Sequence, residues 1–297
     1  MSQANAAQLR FEHKSQMYHY VWRSADNKTH QIRFTLQQYP RDLTYFSAYS
    51  PNRANLYIAE GLKKFAAKQD PTKARIEILN QGQTLKWKIQ SDTLKHTAEL
   101  EQAIHKIQQS RWRQYLHKYR FRIIQSPSGQ EGIIPDHPRI ALQSAPFLKN
   151  LAMQFFPAKS PLSKLPSELG LLLSFIQSIP YQELQSKTGY RGAGFMTPIQ
   201  VLRNNMGDCD SKATLMAAIL KTAKPQLNVA IVYIPAHAFI AIHWPVSGTQ
   251  QSVLINKQKW LAVDPTGPAL YQPGQISKQS RHYIDTGYYN DLIVGAK

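Results

Sequence analysis

The sequence predicts an α+β protein in two parts: a smaller basic region at residues 1–125 and a larger domain at residues 126–297. Three observations carry this reading. The N-terminal half alternates hairpin-like strand pairs with amphipathic helical runs. The C-terminal half places one helix-like run, Cys209 to Leu220, directly ahead of a succession of short apolar strands. Between the halves, Ser126 to Pro138 is rich in Gly and Pro, as an irregular connection requires. A chain of 297 residues is long enough to bury one large core or two smaller ones.

The elements follow in order. Met17–Trp22 and Ile32–Leu36 are rich in aromatic and β-branched residues and flank a polar turn, Ser24 to Lys28, so a hairpin is expected. Residues 53–68 have helical spacing, with Leu56, Ala59, Leu62 and Phe65 or Ala66 on the apolar face. A second hairpin, Ala74–Leu79 with Thr84–Ile89, turns at Asn80 to Gln83; in its second strand Leu85, Trp87 and Ile89 alternate with Lys86 and Lys88. Residues 93–119 read as one long helix, apolar at Leu100, Ile104, Ile107, Tyr115, Leu116 and Tyr119 and basic at Lys106, Arg111, Arg113 and Lys118.

In the second half, Pro166 and Glu168 suit a helix N-terminus and Pro180 stops that helix. The loop Gly189 to Gly194 is too irregular to be a phosphate-binding fingerprint. Pro198 to Asn204 is a short helix. The run from Cys209 is a longer one, with Asp208 as its N-cap and with Ala213, Met216, Ala217 and Leu220 on the face that also holds Cys209. Strands at Asn228–Ile234, His237–Ile242, Val253–Ile255 and Lys259–Val263 follow, the last ending at Asp264-Pro265-Thr266-Gly267.

Charge narrows the function classes. Lys and Arg total 36 against 18 Asp and Glu, a net charge of +18. Residues 1–150 hold 23 basic and 11 acidic side chains, residues 151–297 hold 13 and 7. Such a field attracts anionic partners, among them an acidic cell-wall polymer or a membrane surface. Nucleic acid is disfavoured as a partner, because neither an aromatic-and-glycine strand signature nor zinc-finger spacing occurs. One cysteine excludes an intramolecular disulfide framework and a multi-cysteine zinc site. No apolar run is long enough for a transmembrane helix. The opening MSQANAAQLRFEHK has no signal-peptide pattern, which fits either the cytoplasm or a chain numbered after a removed leader.

The single cysteine carries the chemical question. At a helix N-terminus, backbone N–H groups and the helix dipole favour a thiolate. Asp208 and Asp210 oppose it by like-charge repulsion, so the thiol needs a positive partner, for which histidine is the usual choice. His237 opens one strand and Asp264 ends another, 28 and 27 residues further along in turn. If those strands are neighbours in an antiparallel sheet on the Cys209 helix, the imidazole can deprotonate the thiol and the carboxylate can orient the ring. The alternatives are a structural thiol and a metal site from His237, His243 and Asp264. The two histidines would lie about 20 Å apart along an extended strand, too far to share one ion. Asp208 and Asp210 suit a cap or a calcium ion, with two carboxylates alone too few to make a site.

Three motifs together, Gly207-Asp208-Cys209-Asp210-Ser211-Lys212-Ala213, Ala236-His237-Ala238-Phe239-Ile240 and Trp260-Leu261-Ala262-Val263-Asp264-Pro265-Thr266, resemble the bacterial transglutaminase-like superfamily of papain-related cysteine enzymes. Phe175 to Tyr181 is similar to the helix end that precedes the cysteine in such domains, and the resemblance covers roughly residues 160–267. It implies a Cys-bearing helix packed on an antiparallel sheet. It also implies Cys209 as nucleophile, His237 as general base and Asp264 as the residue orienting His237. Phe239 stands where members often have Trp. The Cys209 N–H is one oxyanion donor on this reading, with Tyr190 and Gln200 as candidates for the second. The implied activity is amide hydrolysis of a protein or peptide through a thioester, with no organic cofactor and with the periplasm or cell envelope as the expected location. Acyl transfer to an amine is the alternative within the family, and a basic envelope-binding module with an idle triad is the alternative outside it.

Overall fold

The computed structural model describes residues 7–184 and 194–295. Its elements, in order, are β1 (Ala7–Lys14), β2 (Met17–Arg23), β3 (Thr29–Thr35), α1 (Pro51–Ala66), β4 (Ala74–Gln81), β5 (Thr84–Ser91), α2 (Leu94–Lys118), β6 (Phe121–Gln125), β7 (Glu131–Pro135), α3 (His137–Ser144) and α4 (Lys149–Phe155). Then follow α5 (Leu165–Ser178), α6 (Pro198–Asn204), α7 (Cys209–Ala223), β8 (Val229–Ile234), β9 (His237–Ile242), β10 (Ser252–Ile255), β11 (Gln258–Val263), α8 (Lys278–Asp285) and β12 (Asn290–Ile293). The fold is α+β, and the pairings within its larger sheets are antiparallel.

The chain forms two compact units: Met1–Ala48 with Ile124–Gly132 and Asp136–Lys297, and Tyr49–Ile123 with Ile133–Pro135. This differs from the division at residue 125 that the sequence suggested. The first three strands belong with the C-terminal elements because their aromatic face has its partners there. Tyr18, Tyr20 and Trp22 alternate along β2 on one face of the β1–β2–β3 sheet and are buried. Tyr20 and Trp22 meet the Phe175 ring at 5.1 and 5.3 Å. Each ring also spends its polar end on a hydrogen bond, Tyr20 Oη to the Leu202 carbonyl (2.8 Å) and Trp22 Nε1 to Ser174 Oγ (3.0 Å). Burying an aromatic ring with its polar end satisfied is the condition under which it stabilises a core.

In the larger unit the main sheet has the order β10-β11-β9-β8-β12. Its central strands read as nearly continuous apolar runs, VAIVYI and HAFIAI, because both faces are covered. Val229, Ile231, Ile240 and Ile242 face the core that contains α7. Ala230, Val232, Phe239 and Ala241 face the opposite side, where Ile276 and the α8 residues Tyr283 and Ile284 pack. The helix α7 is buried from Ser211 to Leu220. The single apolar face expected from its sequence is therefore a correction: sheet and helices enclose it all round, which is how a helix without a solvent stripe is accommodated.

The smaller unit places α1 and α2 with the β4–β5 ladder around Ile58, Leu62 and Ile104. Leu56, expected inside, is 61% exposed; the buried stripe of α1 runs through Ala54, Ile58, Ala59 and Leu62 instead. Part of the basic face of α2 is used in packing. The Arg111 guanidinium lies 4.0 Å over the Tyr57 ring and donates to the Tyr57 carbonyl.

Candidate active site

The site is assembled at the start of α7. Thr197 and Gln200 form a reciprocal capping box on α6, and Asn205 ends that helix in a left-handed conformation (φ 51°). The chain then passes Gly207, which bridges to Tyr181 just beyond α5; the Gln182 N–H donates to the Gly207 carbonyl and the Gly207 N–H to the Pro180 carbonyl. These bonds fix where α7 begins. Asp208 is its N-cap and accepts from the Ser211 N–H at 3.2 Å, so Cys209 is the first helical residue and is half-buried. Its own N–H belongs to the first turn, where no intrahelical acceptor exists.

His237 reaches the site from a two-residue turn. Ile234 pairs with His237 across the β8–β9 ladder, and Pro235 and Ala236 connect them, Ala236 at φ 60°. Asp264 follows directly on β11, which pairs with β9, with Val263 opposite Ile240. The imidazole Nε2 lies 2.9 Å from Asp264 Oδ2. The same ring lies close enough to Cys209 for the thiol to help hold its proton. Burial disfavours charge on this ring, but the hydrogen bonds to Asp264 and Cys209 and their negative charge outweigh it and push the imidazole up to about 10. Cys209, His237 and Asp264 are thus brought together.

Asp264 is held on every side. Its Oδ1 accepts from the Thr266 N–H at 3.0 Å, and its backbone carbonyl accepts from Gln177 Nε2 at 2.8 Å. Gln177 gives a second bond to the Tyr271 carbonyl at 3.0 Å. Lys212, fully buried one turn after Cys209, donates through Nζ to the carbonyls of Ile179 (2.5 Å) and Thr266 (2.6 Å). None of Gln177, Lys212 and Tyr181 was assigned a role from the sequence. Lys212 had a visible signal: a lone cation in a run that is otherwise small or apolar.

The flanking aspartates have distinct environments. Burial and the neighbouring Asp210 carboxyl push the Asp208 carboxyl up to about 8. Asp210 is also raised by burial; it accepts from the Ser211 N–H at 2.8 Å and pairs with His137 Nε2 at 3.2 Å. His137, for which the sequence offered no partner, also meets Tyr233 Oη at 2.8 Å. Among the described residues no group of three or more His, Cys, Asp or Glu side chains is arranged to hold a metal ion. Two carboxyls already engaged in hydrogen bonds are a small part of the six to eight oxygens that calcium takes. His243 packs against Trp260, their ring centroids 5.4 Å apart.

Of the two expected oxyanion donors, Tyr190 lies outside the described residues, and Gln200 is committed to the α6 cap, its Oε1 accepting from the Thr197 N–H at 3.0 Å. Tyr181, bridged to Gly207 just ahead of α7, carries a hydroxyl within electrostatic reach of Cys209. It is 48% exposed, and burial together with the charges of Cys209, Asp208, Glu183 and Asp210 pushes it up to about 12. Beside His237 and Asp264 opens a cavity of about 400 Å³, lined by Ile234, Pro235, Ala236, Pro268 and Tyr271 among others. The rest of its lining is neutral among the described residues.

No known protein family matches the chain by sequence, and no curated protein does. Two solved structures are similar over part of it. One is a candidate cysteine protease from Cytophaga hutchinsonii, at 13% identity and a TM-score of 0.29, covering 53% of this chain and 51% of its own. The other is LapG of Legionella pneumophila in an EGTA-treated form, at 14% identity and a TM-score of 0.29, covering 49% of this chain and 75% of its own. The chain thus spans about half the length of the first of these.

Proposed function

We propose that this protein is a cysteine-dependent amide hydrolase acting on a protein or peptide, with Cys209 as nucleophile, His237 as general base and acid, and Asp264 orienting His237. The observation that supports this reading is one imidazole that hydrogen-bonds the Asp264 carboxylate and lies beside a thiol at a helix N-terminus. In the reaction, the Cys209 thiolate attacks the amide carbonyl carbon. The oxyanion is stabilised by the Cys209 N–H and the Tyr181 hydroxyl. The imidazolium of His237 gives its proton to the departing amine as the C–N bond breaks, leaving a thioester. Neutral His237 then takes a proton from water, whose oxygen attacks the thioester, releasing an acid and restoring the thiol. Asp264 keeps the ring oriented and stabilises its cationic form in both halves. The raised Asp208 pKa weakens the repulsion that this carboxyl exerts on the thiolate.

The cavity beside His237, lined by Pro and Ala together with neutral Thr, Ser and Gln side chains, suits an uncharged side chain of the substrate. The basic surface suits an acidic partner of the cell envelope as the place where such a substrate is met. The test is incubation with a complex peptide pool in ¹⁸O water, followed by mass spectrometry. New carboxyl groups carrying one ¹⁸O, absent with Cys209→Ser, are the expected result. Amine-linked products would redirect the reading to acyl transfer, and an unchanged pool to an idle triad in a binding module.

A further inference from the structure

We propose that Lys212 is a positioning residue for Asp264: its ammonium ties the Cys209 helix to the segment that carries the carboxylate, and so sets the spacing from carboxylate to imidazole to thiol. This rests on the reading of Cys209, His237 and Asp264 as a triad.

A lysine is among the least suitable residues to bury, because its charge must leave water. Lys212 is fully buried one turn into α7, in a helix whose residues from Ser211 to Leu220 are all buried. A methionine would fill similar volume without that cost, and replacing buried charge by well-packed apolar groups is often neutral or stabilising. What the ammonium supplies and methionine cannot is a pair of hydrogen bonds to carbonyls on two other segments. One is Ile179, at the exit of α5; the other is Thr266, two residues past Asp264.

The links close a ring. Lys212 Nζ donates to the Thr266 carbonyl, and the Thr266 N–H donates to Asp264 Oδ1. Asp264 Oδ2 meets His237 Nε2, and the same imidazole lies beside Cys209. One helical turn returns from Cys209 to Lys212. Each link joins a different element: α7, the segment after β11, and β9. Gln177 holds the Asp264 carbonyl independently from α5, so removal of Lys212 frees one edge of the Asp264 segment without releasing the whole. Burial lowers the Lys212 ammonium to about 7, while the charges of Asp264, Asp208 and Cys209 act to keep its proton.

The test is the rate of Cys209 alkylation by iodoacetamide between about pH 6 and pH 9, read by mass spectrometry on native protein. Wild type, Asp264→Asn, Lys212→Met and the double variant are compared, with circular dichroism showing a native fold at the assay temperature. Asp264→Asn and Lys212→Met are each expected to slow alkylation at neutral pH about tenfold or more, as small misplacements of reacting groups do. The double variant is expected to be no slower than Asp264→Asn alone, because Lys212 acts through that carboxylate. A folded Lys212→Met with the wild-type pH profile overturns the proposal, as does a double variant slowed by the product of the two single effects. An unaltered profile in Asp264→Asn removes the triad reading, and the proposal with it. An effect of Asp264→Asn without one of Lys212→Met removes the proposal alone. If Lys212→Met does not fold, Lys212→Gln, whose amide can meet one of the two carbonyls, replaces it and is expected to give an intermediate profile. Failure of both to fold overturns the proposal, since the lysine is then a core residue only.

Discussion

His237 has a measurable signature in its proton. Held by Asp264 and Cys209, its ring is raised from 6.5 to about 10. The folded protein therefore binds that proton more tightly than the unfolded chain does. The stability it contributes is fully present below about pH 6.5 and is lost as pH rises toward 10. The difference in urea unfolding free energy between wild type and His237→Gln should thus be largest near pH 6 and shrink by roughly 2–4 kcal/mol toward pH 10. A gap independent of pH would show that the ring is not held as a cation. Asp208→Asn is expected to keep the α7 cap to within about 0.5 kcal/mol, since Asn and Asp cap equally well. It should also leave Cys209 alkylation at neutral pH unchanged, because the carboxyl it replaces is raised to about 8. A large fall in either quantity would show that the Asp208 charge is needed. Tyr181→Phe, which keeps the ring and removes the hydroxyl, should lower kcat by about 100-fold if Tyr181 is the second oxyanion donor, with little change in alkylation rate. Cys209, His237 and Asp264 could be selected in the sequence because each sits at the end of a recognisable element. Tyr181 and Gln177 could not, because their roles depend on partners that only folding brings close, such as Gly207 and the carbonyls of Asp264 and Tyr271.

The segment after β11 is the element on which the site most depends. Gly267 within it is at φ +62°, and a Cβ there would press against the Gln177 carbonyl. Gly267→Ala is therefore expected to cost at least about 2 kcal/mol from backbone strain and overlap together. Because that strain falls beside Asp264, the variant should also slow Cys209 alkylation; a variant as stable and as reactive as wild type would show that the segment is not rigid. The same elements show what can be read before folding. The limits of α6 and β9 coincide with those expected, Pro198–Asn204 and His237–Ile242. Thr197 with Pro198 marks a helix start, and Pro235 separates two runs that are apolar enough to be strands. The helices α3 and α4 were not anticipated. Pro138 closes the stretch read as an irregular connection, yet it sits in the first turn of α3, where its missing N–H costs nothing. The strand β12 is four residues long and is defined by pairing with β8, which no local pattern predicts.

The division of the chain into units depends on contacts that sequence order hides. An aromatic strand near residue 20 finds its partners on α5 and α6, more than 150 residues later. Local periodicity identified the strand but carried no information on which core would receive it. The excess of positive charge in residues 1–150 falls mostly in the smaller unit, where residues 49–123 hold 15 basic and 6 acidic side chains. Among the described residues no helix is long and apolar enough to cross a membrane. The proposed chemistry requires that the half-buried imidazole of His237 activate the thiol. The measurement to make is the rate of Cys209 alkylation by iodoacetamide against pH, for native wild type beside His237→Ala. Rapid reaction at neutral pH that His237→Ala removes is the predicted result. A thiol that stays inert until the protein is unfolded, or whose profile is the same with and without His237, would contradict it.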